Sequence, residues 1–330
     1  MKLAVVILNW NGKNLLEQFL PSVVAFSGGA DIYVADNAST DDSIAFVTAN
    51  FPSVKVISNK QNFGFAQGYN EALQFVDADI FALVNSDIEV TENWLNPIID
   101  TFQNEPETAI IQPKIRDYKN KEYYEYAGAA GGFIDRYGYP FCRGRIFDTI
   151  EKDSGQYDDG CEIFWASGAC FFIRSSTYRE LAGFDADFFA HQEEIDLCWR
   201  AFNKGHRAKY IGSSTVYHVG GATLEQGNPR KTFLNFRNSL LMLTKNLPKS
   251  LLFQVIFMRV CLDGIAGIQF LLKGKPAHCL AIVKAHFSFY AKFSGAYKKR
   301  AAYQSGKYYR VNSIVYSYFI KKAHTYRGLF

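Results

Sequence analysis

Acidic residues are almost missing from the last 90 residues of this chain. Residues 241 to 330 hold 15 of the 36 Lys and Arg but a single acid, Asp263, for a net of +14. The first 240 residues carry a net of −10, and an acidic body of this kind excludes wrapping of nucleic acid. The basic tail also holds 16 Phe and Tyr, which favours an anionic and partly apolar partner such as a membrane surface. Cys-x-x-Cys spacing is absent. Cys142, Cys161, Cys170, Cys198, Cys261 and Cys279 are scattered, which excludes a zinc site or disulfide framework and points to reduced cytosolic thiols. No internal repeat or low-complexity segment is present. No small-residue cleavage site follows MKLAVVILNW, so Leu3 to Leu8 reads as a buried first strand rather than a signal peptide. Neither Gly-x-Gly-x-x-Gly nor an Arg/Lys cluster follows that strand, which excludes the dinucleotide fingerprint.

What is present is globular: 48% hydrophobic and 21% charged, with a length that fits one large domain and an appendage. Runs at Leu3 to Leu8, Ile32 to Ala35, Val54 to Ser58, Ile80 to Val84 and Ala109 to Gln112 read as strands. Between them, Asn14 to Phe26, Asp42 to Asn50, Ala66 to Val76 and Glu92 to Gln103 read as helices. Strands apolar on both faces and alternating with helices predict an α/β fold with a mostly parallel sheet flanked by helices. Ligands bind such sheets beyond the carboxyl ends of the strands. Those positions are polar in four places: Asn9 to Gly12, Asp36 to Asp41, Asn59 to Asn62, and Asn85 to Asp87. Turn chemistry explains any one of these clusters, whereas four at one sheet edge favour a polar-ligand site.

Residues 113 to 160, rich in Tyr and Gly, read as irregular. An apolar stretch from Ile163 to Ile173 precedes a helix at Ser176 to Ala182 and an acidic helix start at Gln192 to Arg200. Beyond Leu247 come two long helices, Leu251 to Leu272 and His278 to Phe293, broken by Gly274 and Pro276. The first is long enough to span a bilayer, but Gln254, Arg259, Asp263 and Gln269 interrupt it, so an interfacial helix or a hairpin packed on the body is expected.

Read in order, VVILNWNG, VADNASTDDS, NFGFAQGYN, LVNSDIEV, WASGACFFIR, GFDADFFAHQEEIDLCWR, YHVGGAT and the Arg-Asn pair at 237 and 238 resemble glycosyltransferase family 2. These are inverting nucleotide-sugar enzymes of GT-A fold, and the likeness is greatest to the rhamnosyltransferase-like members. The resemblance covers about the first 245 residues and implies a catalytic domain at 1–246. Residues 247–330 are expected to form a basic, aromatic helical tail that associates with a membrane or joins copies of the chain into a homo-oligomer.

The resemblance implies roles residue by residue. Asn9, Asn11, Asp36, Asn37, Asn62, Gly64, Asn85 and Arg237 would bind the donor, with Asp36 accepting from the imide N–H of a pyrimidine base. Asp41 is better placed than Asp36 to cap the following helix. Asp87 would hold a divalent cation, Mn²⁺ or Mg²⁺, with His218 as second ligand; an imidazole favours Mn²⁺. Asn85 departs from the family's Asp-x-Asp by removing the first charge. Glu194 stands where the family has its base, with Glu193 as the alternative, while Asp196 and Arg200 have the spacing of a surface ion pair. Trp165, Ser167 and Gly168 would border the acceptor. The implied activity moves a sugar from dTDP-rhamnose or a UDP-hexose to a glycan or polyprenyl-linked acceptor in surface polysaccharide synthesis. Its setting would be the cytoplasmic face of an anionic membrane, as a peripheral protein, without nucleic acid. The rival readings are a nucleotidyltransferase acting on sugar phosphates, which ordinarily needs the missing basic loop, and a non-catalytic membrane-binding protein.

Overall fold

Leu3–Asn9 forms strand β1 because alternate side chains find apolar cover on opposite faces: Ala4 and Val6 on one side, Leu3, Val5 and Ile7 on the other. A computed structural model describes residues 1–220 and 227–330, so Gly221, Ala222 and Thr223 of the YHVGGAT motif lie outside the described residues. After β1 the chain alternates through α1 (Lys13–Phe26), β2 (Asp31–Asp36), α2 (Ser43–Asn50), β3 (Lys55–Ser58), α3 (Gly64–Ala72) and β4 (Ile80–Asn85). A short β5 (Ile88–Val90), α4 (Asn96–Asn104) and a long β6 (Thr108–Asp117) follow. Helix α4 starts at Asn96 rather than Glu92 because Asn93 adopts a φ of 60°.

Residues 113 to 160 are more regular than expected. β6 runs on to Asp117, and β7 (Gly132–Ile134), β8 (Pro140–Cys142), β9 (Arg145–Ile146) and β10 (Thr149–Ile150) form a four-stranded antiparallel sheet. Strands of two or three residues are too short to show alternation, which is why the segment reads as irregular. β11 (Gly160–Ile163), β12 (Cys170–Arg174), α5 (Ser175–Glu180), α6 (Glu193–Asn203) and β13 (Arg207–His218) complete the body. The main sheet has the order β11-β13-β6-β12-β4-β1-β2-β3, with β5 paired to β13. β3, β2, β1 and β4 are parallel. β12 enters antiparallel between β4 and β6, so the sheet is mixed. That reversal puts the residues before β12 at the same edge as the carboxyl ends of β1, β2 and β4.

Three helices extend the body: α7 (Pro229–Asn246), α8 (Lys249–Leu272) and α9 (Pro276–Lys298). α9 packs chiefly along α7. Beyond Lys298 the chain becomes an irregular strap with a short α-helix, α10 (Ile314–Phe319), and a 3-10 turn at Arg327–Leu329. The strap returns to the body. Tyr308 stacks on Trp199 at 4.9 Å and donates to the Arg136 carbonyl at 2.6 Å, and the Ile314 amide donates to buried Asp135 at 2.9 Å.

The expected surface pair of Asp196 and Arg200 is instead the centre of a buried network. Asp196 is 0% exposed and accepts from Arg200 Nε at 2.8 Å, Lys245 Nζ at 2.7 Å and Asn246 Nδ2 at 2.8 Å. Lys245 reaches on to Asp185, whose other oxygen accepts from Lys299, the residue that follows α9, at 2.6 Å. Lys292 and Lys299 also bind Asp187. A charge this deep persists only where partners satisfy it, and here they tie α6, α7 and α9 to the turn ahead of the acidic pair.

Candidate functional site

The first polar cluster holds itself together. Asn9 is 0% exposed, and its Nδ2 lies within 3.0 to 3.1 Å of Asp36, Ser39 and Ser43 oxygens. Its Nδ2 thus braces the loops from beneath, while its Oδ1 is buried without a hydrogen-bond partner among the described residues. Asp36, 4% exposed, accepts from Asn9, from Ser39 Oγ at 2.5 Å and from the Ser39 amide at 2.9 Å. Asn11, at a φ of 50°, accepts from the Thr40 amide at 2.7 Å and so locks the β1 loop to the β2 loop. Asp41 Oδ2 accepts from the Lys13 amide at 3.0 Å and its Oδ1 from the Ser43 amide at 3.2 Å, joining the starts of α1 and α2.

Asn37 carries the edge across to α3. It accepts from Asn59 at 2.9 Å and donates to the Gly64 carbonyl at 2.8 Å, while Asn62 accepts from the Gly64 amide at 2.9 Å. Gly64 has a φ of +75°, and a Cβ there would come within 2.7 Å of the Phe189 ring, so this approach requires glycine. The Phe65 amide in turn donates to the Phe189 carbonyl at 2.9 Å.

Phe189 begins the strained part of the site. Phe189, His191 and Gln192 have φ values of 65°, 70° and 73°, a left-handed run just ahead of Glu193 and Glu194. Sequence reasoning missed what holds this run. Asn238 Nδ2 contacts the carbonyls of Phe188 at 3.0 Å, Ala190 at 2.9 Å and His191 at 2.7 Å. Arg237 Nη2 donates to the carbonyls of Asp187 and Phe188, both at 3.1 Å. The guanidinium of Arg237, expected at the donor, thus grips backbone through Nη2. The Arg-Asn pair itself was the available signal.

Glu193 is 4% exposed, whereas Glu194 is only partly covered. Burial raises the pKa of both, the neighbouring carboxylate adds to the rise for Glu193, and Glu194 is pushed up to about 7. A carboxylate so raised is a competent proton acceptor near neutral pH. Four successive residues each carry a buried polar atom without a hydrogen-bond partner among the described residues: His191 Nε2, Gln192 Oε1, Glu193 Oε2 and Glu194 Oε2. Native interiors seldom leave such atoms unpaired, so a cluster of them marks a place for a ligand.

Gly168 borders Glu194: a Cβ there would lie 3.7 Å from Glu194 Cδ and 3.5 Å from the Phe65 ring. The next residue, Ala169, accepts from the Asn85 amide at 2.9 Å. Trp165 and Ser167, expected on the acceptor side with Gly168, are buried. The Trp165 indole is 2% exposed, packed on Gly132 and bonded to the Phe133 carbonyl at 2.8 Å. Ser167, 1% exposed, is held by Gln112.

Asp87 and His218 meet because β5 pairs antiparallel with β13, setting His218 opposite Ile88. His218 Nε2 lies 3.2 Å from Asp87 Oδ1, and its Nδ1 lies 3.3 Å from Glu125 Oε1. Burial opposes charge on the imidazole, but Glu125 and Asp87 outweigh it and lift it to about 10. Asp87 is itself held below the usual carboxylate range: burial works against this, and His218 prevails. Two donor atoms about 3 Å apart suit adjacent positions on a first-row or alkaline-earth cation, and a carboxylate behind the imidazole suits its outer shell. Among the described residues no three His, Cys, Asp or Glu groups form a metal site by themselves. Glu125 lies where the sequence shows no periodicity and gave no signal.

Comparison with known proteins agrees with this geometry. The family model for glycosyl transferase family 2 matches residues 4–181. An N-acetylglucosaminyl-diphospho-decaprenol L-rhamnosyltransferase of Mycobacterium tuberculosis is 24% identical over 232 residues, 66% of this chain and 75% of that protein. Rhamnosyltransferase WbbL of Escherichia coli is 23% identical over 223 residues, 65% of this chain and 82% of that protein. Among solved structures, S. aureus TarS 1-349 in complex with UDP-GlcNAc superposes with a TM-score of 0.57 at 13% identity, over 90% of this chain and 91% of that one. GalNAc-T7 with UDP, GalNAc and Mn²⁺ gives 0.56 at 19% identity over 69% of this chain, which spans 45% of that longer protein. The fold is GT-A, and the chain belongs to glycosyl transferase family 2.

Proposed function

We propose that this protein transfers one sugar, with inversion, from a nucleoside-diphosphate donor to a hydroxyl of a lipid-linked glycan. The observation that carries the reading is the set of four unpartnered buried polar atoms at His191 to Glu194, beside Gly168 at the sheet's carboxyl edge. Glu194, the more accessible acid, takes the proton of the acceptor hydroxyl as its oxygen bonds to the anomeric carbon, and the bond to the diphosphate breaks on the opposite face. Glu193 stays buried behind it, and burial is what keeps Glu194 basic. Asp36, Asn37, Asn62 and Gly64 form the donor side of the edge, where the base and ribose would lie. Asp87 and His218 are the residues that would hold Mn²⁺ or Mg²⁺. When bound, the cation supplies Lewis-acid stabilisation of the departing diphosphate.

The rhamnosyltransferases among the relatives support dTDP-rhamnose as donor, and the UDP-GlcNAc complex of TarS supports a UDP-hexose as the alternative. The relative named for a decaprenol diphosphate supports a polyprenyl-linked acceptor. Such an acceptor puts the enzyme at the cytoplasmic face of a membrane, as a peripheral protein of surface polysaccharide synthesis. The test is release of nucleoside diphosphate by purified full-length protein from a panel of nucleotide sugars with Mn²⁺, with and without a prenyl-diphosphate-linked GlcNAc. One donor should be consumed, with acceptor-dependent turnover and an inverted anomeric configuration in the product. Turnover of none of the donors, or a retained configuration, would refute the proposal.

A further inference from the structure

Helix α8 is built inside out. Between Ser250 and Leu272 its only charged side chains, Arg259 and Asp263, are 3% and 0% exposed. Arg259 donates to the Tyr137 carbonyl at 3.0 Å and lies 3.9 Å from the centre of the Tyr139 ring, and Asp263 faces His286 of α9 at 3.1 Å. The outward face is apolar: Phe253 (83% exposed), Phe257, Ile265, Ile268 and Leu272 (84%) recur at intervals of three, four or eight residues along one side. α9 continues the surface with Leu280, Val283, Phe287 and Tyr290, all exposed. A helix packed on a protein in water turns charge outward and apolar residues inward. The reverse fits a hairpin with protein on one side and an apolar medium on the other. α8 is also long and apolar enough to cross a membrane by length and composition. Its ties to Tyr137 and Tyr139 instead hold it along the body.

Charge decides the occupant. Exposed Lys249, Lys273, Lys275 and Lys298 stand at the ends of the two helices, exposed Lys284 lies on α9 between Leu280 and Phe287, and the one acid of the last 90 residues, Asp263, is buried. Two copies joined through this face would bring like charges together, whereas anionic headgroups complement them. Lys273 and Lys275 sit at the hairpin turn and resist burial in hydrocarbon, so the hairpin lies along the surface rather than entering tip first. We propose that the outer faces of α8 and α9 seat flat in the interfacial region of an anionic bilayer, with the flanking lysines among the headgroups. The proposal gives a surface to the peripheral location above but rests on the hairpin alone.

Flotation of the full-length protein with phosphatidylglycerol/phosphatidylethanolamine vesicles, and with phosphatidylcholine vesicles, at low and high salt is the test. Binding is expected to the anionic vesicles, weakening with salt. Phe257→Asp combined with Ile265→Asp should lower partitioning at least about ten-fold while donor hydrolysis persists. Phe287→Asp on α9 provides a second variant if the first loses its cooperative unfolding transition. Wild-type protein that hydrolyses the donor but does not bind anionic vesicles would sink this proposal and leave the catalytic one standing. So would variants that float like wild type. Sedimentation equilibrium showing a vesicle-free dimer that the substitutions dissociate would assign the face to a second copy instead.

Discussion

Replacing Asn238 with Ala tests how the strained run ahead of the acidic pair is held. The side chain is 0% exposed, and its Nδ2 contacts the carbonyls of Phe188, Ala190 and His191 within 3.0 Å. An amide nitrogen has only two hydrogens, so the three contacts are shared. Arg237 still reaches the Phe188 carbonyl, which leaves Ala190 and His191 as the carbonyls orphaned by truncation. At about 1 to 3 kcal/mol for each buried orphan, the loss is roughly 2 to 6 kcal/mol. The residues at φ 65°, 70° and 73° store roughly 1 to 3 kcal/mol each, a comparable amount, so the run relaxes once the clamp is gone. A shift of Glu194 by ~1 Å should then lower turnover by about 10²-fold. Nucleotide affinity should change little, because Asp36 and Asn37 are held separately. Asn238→Asp should be worse than Ala, since a carboxylate facing carbonyls cannot donate. Steady-state kinetics and thermal unfolding of both variants provide the measurement. A folded Asn238→Ala protein with turnover within about threefold of wild type would refute the clamp.

Glu194→Gln should retain donor binding and lose turnover by roughly 10² to 10⁴-fold. Because the base works ionised and its pKa is raised to about 7, wild-type activity should rise with pH through that value; a limb centred near the ordinary 4.5 would contradict the assignment. Asp87→Ala should weaken Mn²⁺-dependent nucleotide binding at least about ten-fold by calorimetry, and equal binding in EDTA by wild type would overturn the cation's role. Asp185 is held well below its ordinary 3.8: burial opposes this, but Lys245 and Lys299 prevail. A lowered native pKa contributes stability that is full above 3.8 and lost as pH falls toward the native value. Asp185→Asn should therefore be less stable than wild type at neutral pH, with the gap closing in acid. A gap independent of pH would show that the ion pairs contribute nothing. Asp135→Ala removes the acceptor for the amides of Tyr137, Tyr139 and Ile314 and should loosen the strap, seen as faster proteolysis after residue 298 with the body intact.

The strands β1 to β4 and the polar residues at their ends were determined by sequence alone, because alternation and turn chemistry are local properties that tertiary contacts only reinforce. The ordered motifs and the apolar length of α8 were legible for the same reason. Tertiary structure decided which polar residues face a ligand and which serve the fold. Asn9 Nδ2, the Trp165 indole and Arg237 Nη2 look chemical in sequence, and the structure adds their contacts inside the fold: Asp36, the Phe133 carbonyl and the 187–188 backbone. Asp196 looks like a surface residue and is buried because Lys245 and Asn246, about 50 positions on, converge on it. Asp87 meets His218 only through the β5 and β13 pairing, and Gly168 reaches Glu194 only because β12 runs antiparallel. Local periodicity specifies an element and its faces; strand neighbours, and therefore the distances that make a site, arise from the packing of the whole chain.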